Sequence, residues 1–229
     1  MMINNRLLTV ATYINHERLA DIGSDHAYLP IYAVEQGKVK SAVAGEVVKG
    51  PFMAAVENVK KYALDSKIDV RLGDGLDVIE PNEVDCITIC GMGGPLISEI
   101  LNKGKEKLTH YPTLILQSNI HTEAVRRRLM ALGYMIKDEV IMKERKHVYE
   151  IIVAERNNSD VVYNERELKF GPVLLNKKDD VFKEKWLREY HHLKTVYESI
   201  KSEERHSEKA SQLLNDIETL KEVLNIENL

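Results

Sequence analysis

The run Arg18-Leu19-Ala20-Asp21-Ile22-Gly23-Ser24-Asp25-His26-Ala27-Tyr28 is an apolar stretch that ends on an acid and turns through a single glycine. This is the layout of a nucleotide-handling turn between a first strand and a first helix. A dinucleotide turn needs Gly-x-Gly-x-x-Gly, so that a pyrophosphate can touch backbone amides. Here Gly23 is the only glycine, and Asp25 and His26 stand where further glycines would be expected. The Asp25 carboxylate would repel a diphosphate. A ligand with an amino-acid end and a ribose but no phosphate suits these residues better, and S-adenosylmethionine (SAM) is such a ligand. In that reading Asp21 reaches the ligand's amino group, directly or through water. Gly23 lets the backbone come close, and Ser24 and His26 hydrogen-bond the amino-acid end. The bland alternative is a turn in which Asp25 caps a helix that starts at His26.

Two more acids recur at corresponding places. Glu46, with Val47 beside it, follows an apolar run at close to the roughly 20-residue spacing of a ribose-binding acid. Asp74, between Gly73 and Gly75, ends the next apolar run and is placed to accept from an adenine amino group; an ordinary Asp-Gly turn is the alternative. Three acids at three successive strand ends make a stronger signal than any one of them. After the fourth run comes Cys90-Gly91-Met92-Gly93-Gly94-Pro95, read as an open floor of backbone amides and carbonyls where the methyl acceptor would lie.

The elements that must position these residues alternate. Strands are predicted near Leu19–Ile22, Ala42–Glu46, Asp69–Leu72, Val84–Cys90, Thr113–Gln117, Met135–Met142 and Tyr149–Ala154. Helices are predicted near Asn4–Ile14, Tyr28–Gln36, Pro51–Tyr62, Pro95–Leu101 and Thr122–Leu132. Alternation of this kind predicts an α/β fold with a mostly parallel sheet covered on both faces. The last two strands follow one another, with a hairpin turn expected at Glu144–His147. From Asn176 onward there is neither Gly nor Pro. Trp186, Tyr190, Leu193, Tyr197 and Ile200 form one apolar seam, and Ala210, Leu213, Ile217, Leu220 and Leu224 a second. Polar Glu203 and Ser207 interrupt the seam, so a helical hairpin turning near Ser202–Ser207 is read in preference to one continuous helix. Asn157–Asp160 reads as a linker, which divides the chain into residues 1–156 and 157–229.

Bulk properties bound the function. The chain has 229 residues, 44% hydrophobic and 30% charged, with a formal net charge of −4. These values suit a soluble globular protein and do not announce a nucleic-acid binder. No apolar run is long enough to span a bilayer and no basic-then-apolar leader opens the chain, so a cytoplasmic location is expected. Cys86 and Cys90 sit four apart in a predicted strand and point to one face; buried core is the reading, since a metal site needs more ligands. Locally the charge differs from the bulk. From Lys103 to His147, ten Lys and Arg residues stand against five acids. They include Arg126-Arg127-Arg128, of which one or two are expected to meet phosphate, with a solvated helix face as the alternative.

The pattern Leu-Ala-Asp-Ile-Gly-Ser-Asp-His-Ala-Tyr-Leu-Pro, together with Gly-Asp-Gly-Leu, Gly-Met-Gly-Gly and Leu-Gln-Ser-Asn at Leu116–Asn119, resembles the bacterial tRNA adenine-22 N1-methyltransferases over essentially the whole chain. The resemblance implies a class I methyltransferase sheet with a closing antiparallel hairpin. It also implies a helical, coiled-coil-like tail that helps to hold tRNA, SAM as cofactor, and methylation of an adenine N1. Adenine N1 already has a lone pair, so catalysis reduces to positioning and solvent exclusion. On this reading the acceptor-side candidates are His26, Tyr28, Gly91, Met92, Gly93, Asn119 and Tyr149. Tyr28 and Tyr149 are the stacking candidates in a chain only 6% aromatic. Alternatives are a small-molecule methyltransferase of the same fold and a non-catalytic SAM- or RNA-binding module. A monomer is favoured, although the tail could dimerise instead of binding RNA.

Overall fold

The computed structural model describes residues 3–157, 160, 162–201 and 207–226. Two compact units divide at Val173/Leu174. In the first, strands and helices alternate: α1 (Asn5–Thr12), β1 (Arg18–Ile22), α2 (Tyr28–Glu35), β2 (Ser41–Glu46), α3 (Lys49–Lys61), β3 (Ile68–Leu72), β4 (Cys86–Met92), α4 (Gly94–Lys103), β5 (Thr113–Ser118), α5 (Thr122–Ala131), β6 (Tyr134–Glu144), β7 (His147–Arg156) and α6 (Glu165–Phe170). The strands form one sheet in the order β3-β2-β1-β4-β5-β7-β6. β1 to β5 pair in parallel, and β7 runs antiparallel to both β5 and β6.

Period-two alternation along the strands produces two core layers. Ala20, Ile22, Ile87, Ile89, Leu114 and Leu116 face Ile97, Leu101, Val125 and Leu129 of α4 and α5. Leu19, Ala42, Ala44, Cys86 and Ile115 face Val10 and Ala11 of α1, Leu29 and Ile31 of α2, and Ala55 and Val59 of α3. Cys90 packs against this second layer as well, so both thiols lie on one face of the sheet. Burial holds both above the ordinary thiol range.

The order β3-β2-β1-β4-β5 reverses direction between β1 and β4. At that switch point the carboxyl ends of the strands open a crevice, where ligands of such sheets bind. Every residue singled out near Asp21 and Gly91 lies at this edge.

The expected boundary at 156/157 differs from the division at Val173/Leu174. The segment between belongs physically to the first unit. The Tyr163 hydroxyl accepts from the Ile136 amide at 2.9 Å, and Arg126 donates to the Leu168 carbonyl at 3.2 Å. Of the expected linker, residues 158 and 159 lie outside the described residues.

The second unit holds α7 (Leu174–Lys177), α8 (Asp180–Ile200) and α9 (Ser207–Leu224). Asp179 caps α8 by accepting from the Phe182 amide at 2.8 Å. Trp186 and Tyr190 on α8, and Ala210, Ile217 and Leu220 on α9, are buried, as the two seams require. Residues 202–206 of the expected turn lie outside the described residues. Among the described residues no helix is long and apolar enough to cross a membrane.

Candidate active site

The turn after β1 is held from three sides. The Gly23 and Ser24 amides both donate to the Gly45 carbonyl of β2, at 2.9 and 3.1 Å. The Ser24 hydroxyl donates to Asp21 Oδ2 at 2.6 Å, and the Thr88 hydroxyl of β4 donates to Asp21 Oδ1 at 2.6 Å. Asp21 is therefore fixed from both neighbouring parts of the crevice, at 3% exposure. A carboxylate has more lone pairs than these two hydroxyls use, so it retains acceptor capacity. Burial pushes its pKa up, partly offset by the two hydroxyls.

Helix α2 begins later than a cap at Asp25 would require. Asp25, His26 and Ala27 all have positive φ, at 43°, 67° and 57°, and Ala27 is the N-cap residue, with no side-chain cap bond. Three consecutive left-handed residues without glycine are costly, so surrounding contacts must impose them. The Asp25 amide donates to Glu46, and Asn58 Nδ2 of α3 donates to the His26 carbonyl at 3.0 Å. The His26 ring stacks on Tyr28, with centroids 5.3 Å apart and planes at 20°, and Tyr28 is partly exposed.

Glu46 at the end of β2 is buried, and burial raises its pKa against the bond from the Asp25 amide. Val47 beside it is 62% exposed. Asp74 precedes a short 3-10 turn over Gly75–Val78 and is exposed, with its side chain making no cap bond. The ends of β1, β2 and β3 thus present three carboxylates in a row.

The loop after β4 is tied down; it is not an open floor. The strand itself runs on through Gly91 and Met92, with a register shift there and Gly91 at φ 79°. Gln117 Oε1 accepts from the Gly91 amide at 2.8 Å, and Gln117 Nε2 donates to Asn119 Oδ1 at 3.0 Å. Asn119 Nδ2 donates to the Gly91 carbonyl at 2.8 Å, and the Asn119 amide to the Met92 carbonyl at 2.9 Å. The Gly94 amide donates to the Ile120 carbonyl at 2.8 Å. A Cβ on Gly94 would stand 2.0 Å from the His121 carbonyl oxygen, which is why glycine is required there. A Cβ on Gly23 would stand 2.2 Å from the terminal methyl of Met92, so Met92 links the first turn to this loop. Leu-Gln-Ser-Asn therefore acts as the clamp of the glycine loop.

Sequence reasoning missed Arg6. Its guanidinium donates to Gln117, lies 5.4 Å from the Tyr149 ring centroid, and sits 3.6 Å from where a Gly91 Cβ would be. The amphipathic helix α1 was legible, but nothing local marks one arginine of its polar side as reaching the glycine loop.

The three arginines Arg126–Arg128 are engaged to different degrees. Arg126 is buried, donating to Glu139 at 2.7 Å, to Glu150 at 2.5 Å and to the Leu168 carbonyl. Arg127 pairs with Glu123 and Glu165, and Arg128 with Ser98 and Asn102. Arg126 is thereby withdrawn from any phosphate, whereas Arg127 and Arg128 are only partly buried, Arg127 paired with acids and Arg128 bonded to neutral groups of α4.

The donor set fits SAM. Buried and exposed carboxylates at the strand ends suit an ammonium, a sulfonium and vicinal hydroxyls, and they disfavour phosphate. Among the described residues no group of His, Cys, Asp and Glu could hold a metal ion.

The model of the family described as tRNA (adenine(22)-N(1))-methyltransferase matches residues 19–222. The Bacillus subtilis tRNA (adenine(22)-N(1))-methyltransferase is 46% identical over 98% of both chains. The crystal structure of the B. subtilis M1A22 tRNA methyltransferase TrmK superposes with a TM-score of 0.92, at 45% identity over 97% of this chain and 99% of that one. A Streptococcus pneumoniae relative solved with S-adenosyl-L-methionine superposes at 0.88, with 41% identity over 97% of this chain and 100% of that one. The chain therefore belongs to the tRNA (adenine(22)-N(1))-methyltransferase family.

Proposed function

We propose that this chain catalyses SAM-dependent methylation of N1 of adenine 22 in tRNA, with the crevice between β1 and β4 as its active site. The observation that carries the site assignment is that Asp21, Glu46 and Asp74 stand at the carboxyl ends of three adjacent parallel strands, at the same sheet edge as the clamped loop Gly91–Gly93 that ends β4. When bound, SAM supplies a methyl group activated by a sulfonium. Asp21 and Ser24 orient the amino-acid end, Gly23 lets it approach, and Glu46 with Val47 holds the ribose. Asp74 and Gly75 face the adenine of the cofactor.

The target adenine N1 needs no base, because its lone pair is free. The protein's work is to hold the base in line and exclude water. Asn119 is exposed, and its amide keeps one hydrogen and one lone pair for the base edge. Gly91, Met92 and Gly93 form the floor, with backbone groups fixed by Gln117 and Asn119. His26 and Tyr28, already stacked on each other, offer a ring face to an extruded base. The methylated base is cationic, a charge that the loop carbonyls of Gly91 and Met92 and the Asn119 carbonyl suit.

The helical unit supports grip on tRNA beyond the target loop. The same reading makes the enzyme a cytoplasmic one that acts as a monomer. Methylation of an unmodified tRNA transcript with labelled SAM, followed by mapping of the modified base, tests the function. N1-methyladenine at position 22 is expected, and none on a transcript carrying guanine there. Undiminished labelling of that second transcript would refute the assignment.

A further inference from the structure

The positive charge between Lys103 and His147 is used in two different ways. On α5 the arginines are engaged by other side chains: Arg126 is buried against Glu139 and Glu150, Arg127 pairs with Glu123 and Glu165, and Arg128 bonds Ser98 and Asn102. At the β6–β7 turn the positive charge is not so engaged. Arg145 and Lys146 make that turn and are exposed, with Arg145 at φ 57°. Among the described residues neither of them takes part in an ion pair. They border a cleft of about 520 Å³ whose other walls include Asn4, Arg6, His147 and Tyr149. The one acid in its lining, Glu144, accepts from the Asn5 amide at 2.9 Å, which ties the hairpin to the start of α1. The cleft is thus cationic, has an aromatic wall, and lies within the size range of small-ligand pockets.

Its inner end adjoins the active site. Arg6 lines the cleft, lies over Tyr149 and reaches Gln117, which also holds the Gly91 amide. A strand of RNA that delivers a base to Gly91–Gly93 would therefore pass its neighbouring nucleotides over Tyr149 and the hairpin tip.

We propose that this cleft binds the sugar–phosphate backbone beside the target adenine, with Arg145 and Lys146 on phosphates and Tyr149 under a flanking base. Free phosphate contacts with an aromatic platform are the combination by which proteins hold unpaired nucleotides. The inference rests on the reading of the chain as a tRNA methyltransferase.

The test uses the full chain, an unmodified tRNA transcript and the double variant R145Q/K146Q. Its KM for tRNA is expected to rise about tenfold, and the slope of log affinity against log salt to fall by about 1.4, or roughly 0.7 for each of two phosphates. SAM affinity, measured by calorimetry, should stay at the wild-type value and shows that the variant is folded. Tyr149→Ala should weaken tRNA binding about tenfold, and Tyr149→Phe should restore it, because stacking needs only the ring. K60Q/K61Q removes the same charge at the far end of α3, where the chain leads into β3 away from the crevice, and should leave activity and slope unchanged. A wild-type KM and slope for R145Q/K146Q would overturn the cleft, as would an equal loss in K60Q/K61Q. A wild-type enzyme that methylates no tRNA would instead overturn the function on which the proposal rests.

Discussion

Two places in the first unit bury carboxylates, and they are treated in opposite ways. Glu139 and Glu150 lie in contact with the guanidinium of Arg126, at 2.7 and 2.5 Å, on the α5 side of the β6–β7 hairpin. Burial lowers the pKa of Arg126, but Glu150 and Glu139 together outweigh it and hold the group above its ordinary value. Asp21 and Glu46 are also buried, yet their direct partners are two hydroxyls and a backbone amide. Burial raises both of their pKa values. A buried anion that already has its cation is part of the scaffold. A buried anion held only by neutral donors costs free energy in the empty protein and is placed to receive a positively charged ligand.

The largest effect should come from breaking the scaffold pair. Arg126→Met leaves two buried carboxylates without their cation and should cost about 3–5 kcal/mol of unfolding free energy, read by denaturant titration. The triple variant that also replaces Glu139 and Glu150 with apolar residues should recover most of that loss. A single variant as stable as wild type would mean that the three charges are solvated and that the contrast is false.

Next in size is Asp21→Asn, which should act in the reverse sense. Asparagine keeps an acceptor for one hydroxyl, and the other hydroxyl can rotate to accept from its NH2. SAM affinity should fall roughly 10- to 100-fold, as expected when a charged partner of a ligand is neutralised. Stability should rise. The folded-state pKa lies above the ordinary carboxylate value, so between those two values the folded chain holds a proton that the unfolded chain has released. Stability from this group is full at low pH and is lost as pH rises through the folded value. The Tm advantage of D21N should therefore be present at neutral pH and should vanish as pH falls below the ordinary carboxylate range. Asp85 and Glu83 titrate the other way: Arg18 and Arg71 hold their pKa values down, so their stabilisation is lost on acidification. The comparison of D21N with wild type across pH cancels that background. A less stable D21N at neutral pH would break the argument.

Glu46→Gln should be milder. The amide oxygen still accepts from the Asp25 amide, so the turn survives, and SAM affinity should fall about tenfold through weaker bonds to the ribose hydroxyls. Equal SAM binding by wild type and E46Q would remove Glu46 from the ribose site.

The difference between the two regions also explains what could be read from the sequence. Asp21, Glu46 and Asp74 were visible because each ends an apolar run, and the parallel sheet puts the carboxyl ends of such runs at one edge. Strand and helix placements held to within a few residues for the same reason: the period of the apolar pattern is local. Contacts made across the sheet left no such mark. The glycine loop read as open because Gln117 and Asn119, far along the chain, supply its clamp. Arg126 read as a surface cation because its partners lie on β6 and β7. The stretch from Tyr163 to Val173 read as part of the helical tail because its bonding partners, Ile136, Arg126 and Glu139, lie on β6 and α5, not among its own neighbours. The left-handed run Asp25–Ala27 gave no glycine signal, since tertiary bonds from Glu46 and Asn58 impose it.

The smallest expected effect sharpens the comparison most closely, because it concerns the next residue along the same helix. Arg127 pairs with Glu123 at 2.7 Å and also with Glu165, but its side chain is 42% exposed. Its ion pairs are screened by water, and they hold side chains that would otherwise be free to move, so they add little net stability. Arg127→Gln should therefore shift Tm by only about a degree or two, where Arg126→Met removes several kcal/mol. It should also leave the salt slope of tRNA binding intact, because Glu123 and Glu165 already neutralise the charge that a phosphate would meet. A slope reduced by about 0.7 would instead place a phosphate on α5 and make the cationic hairpin tip only part of the RNA track.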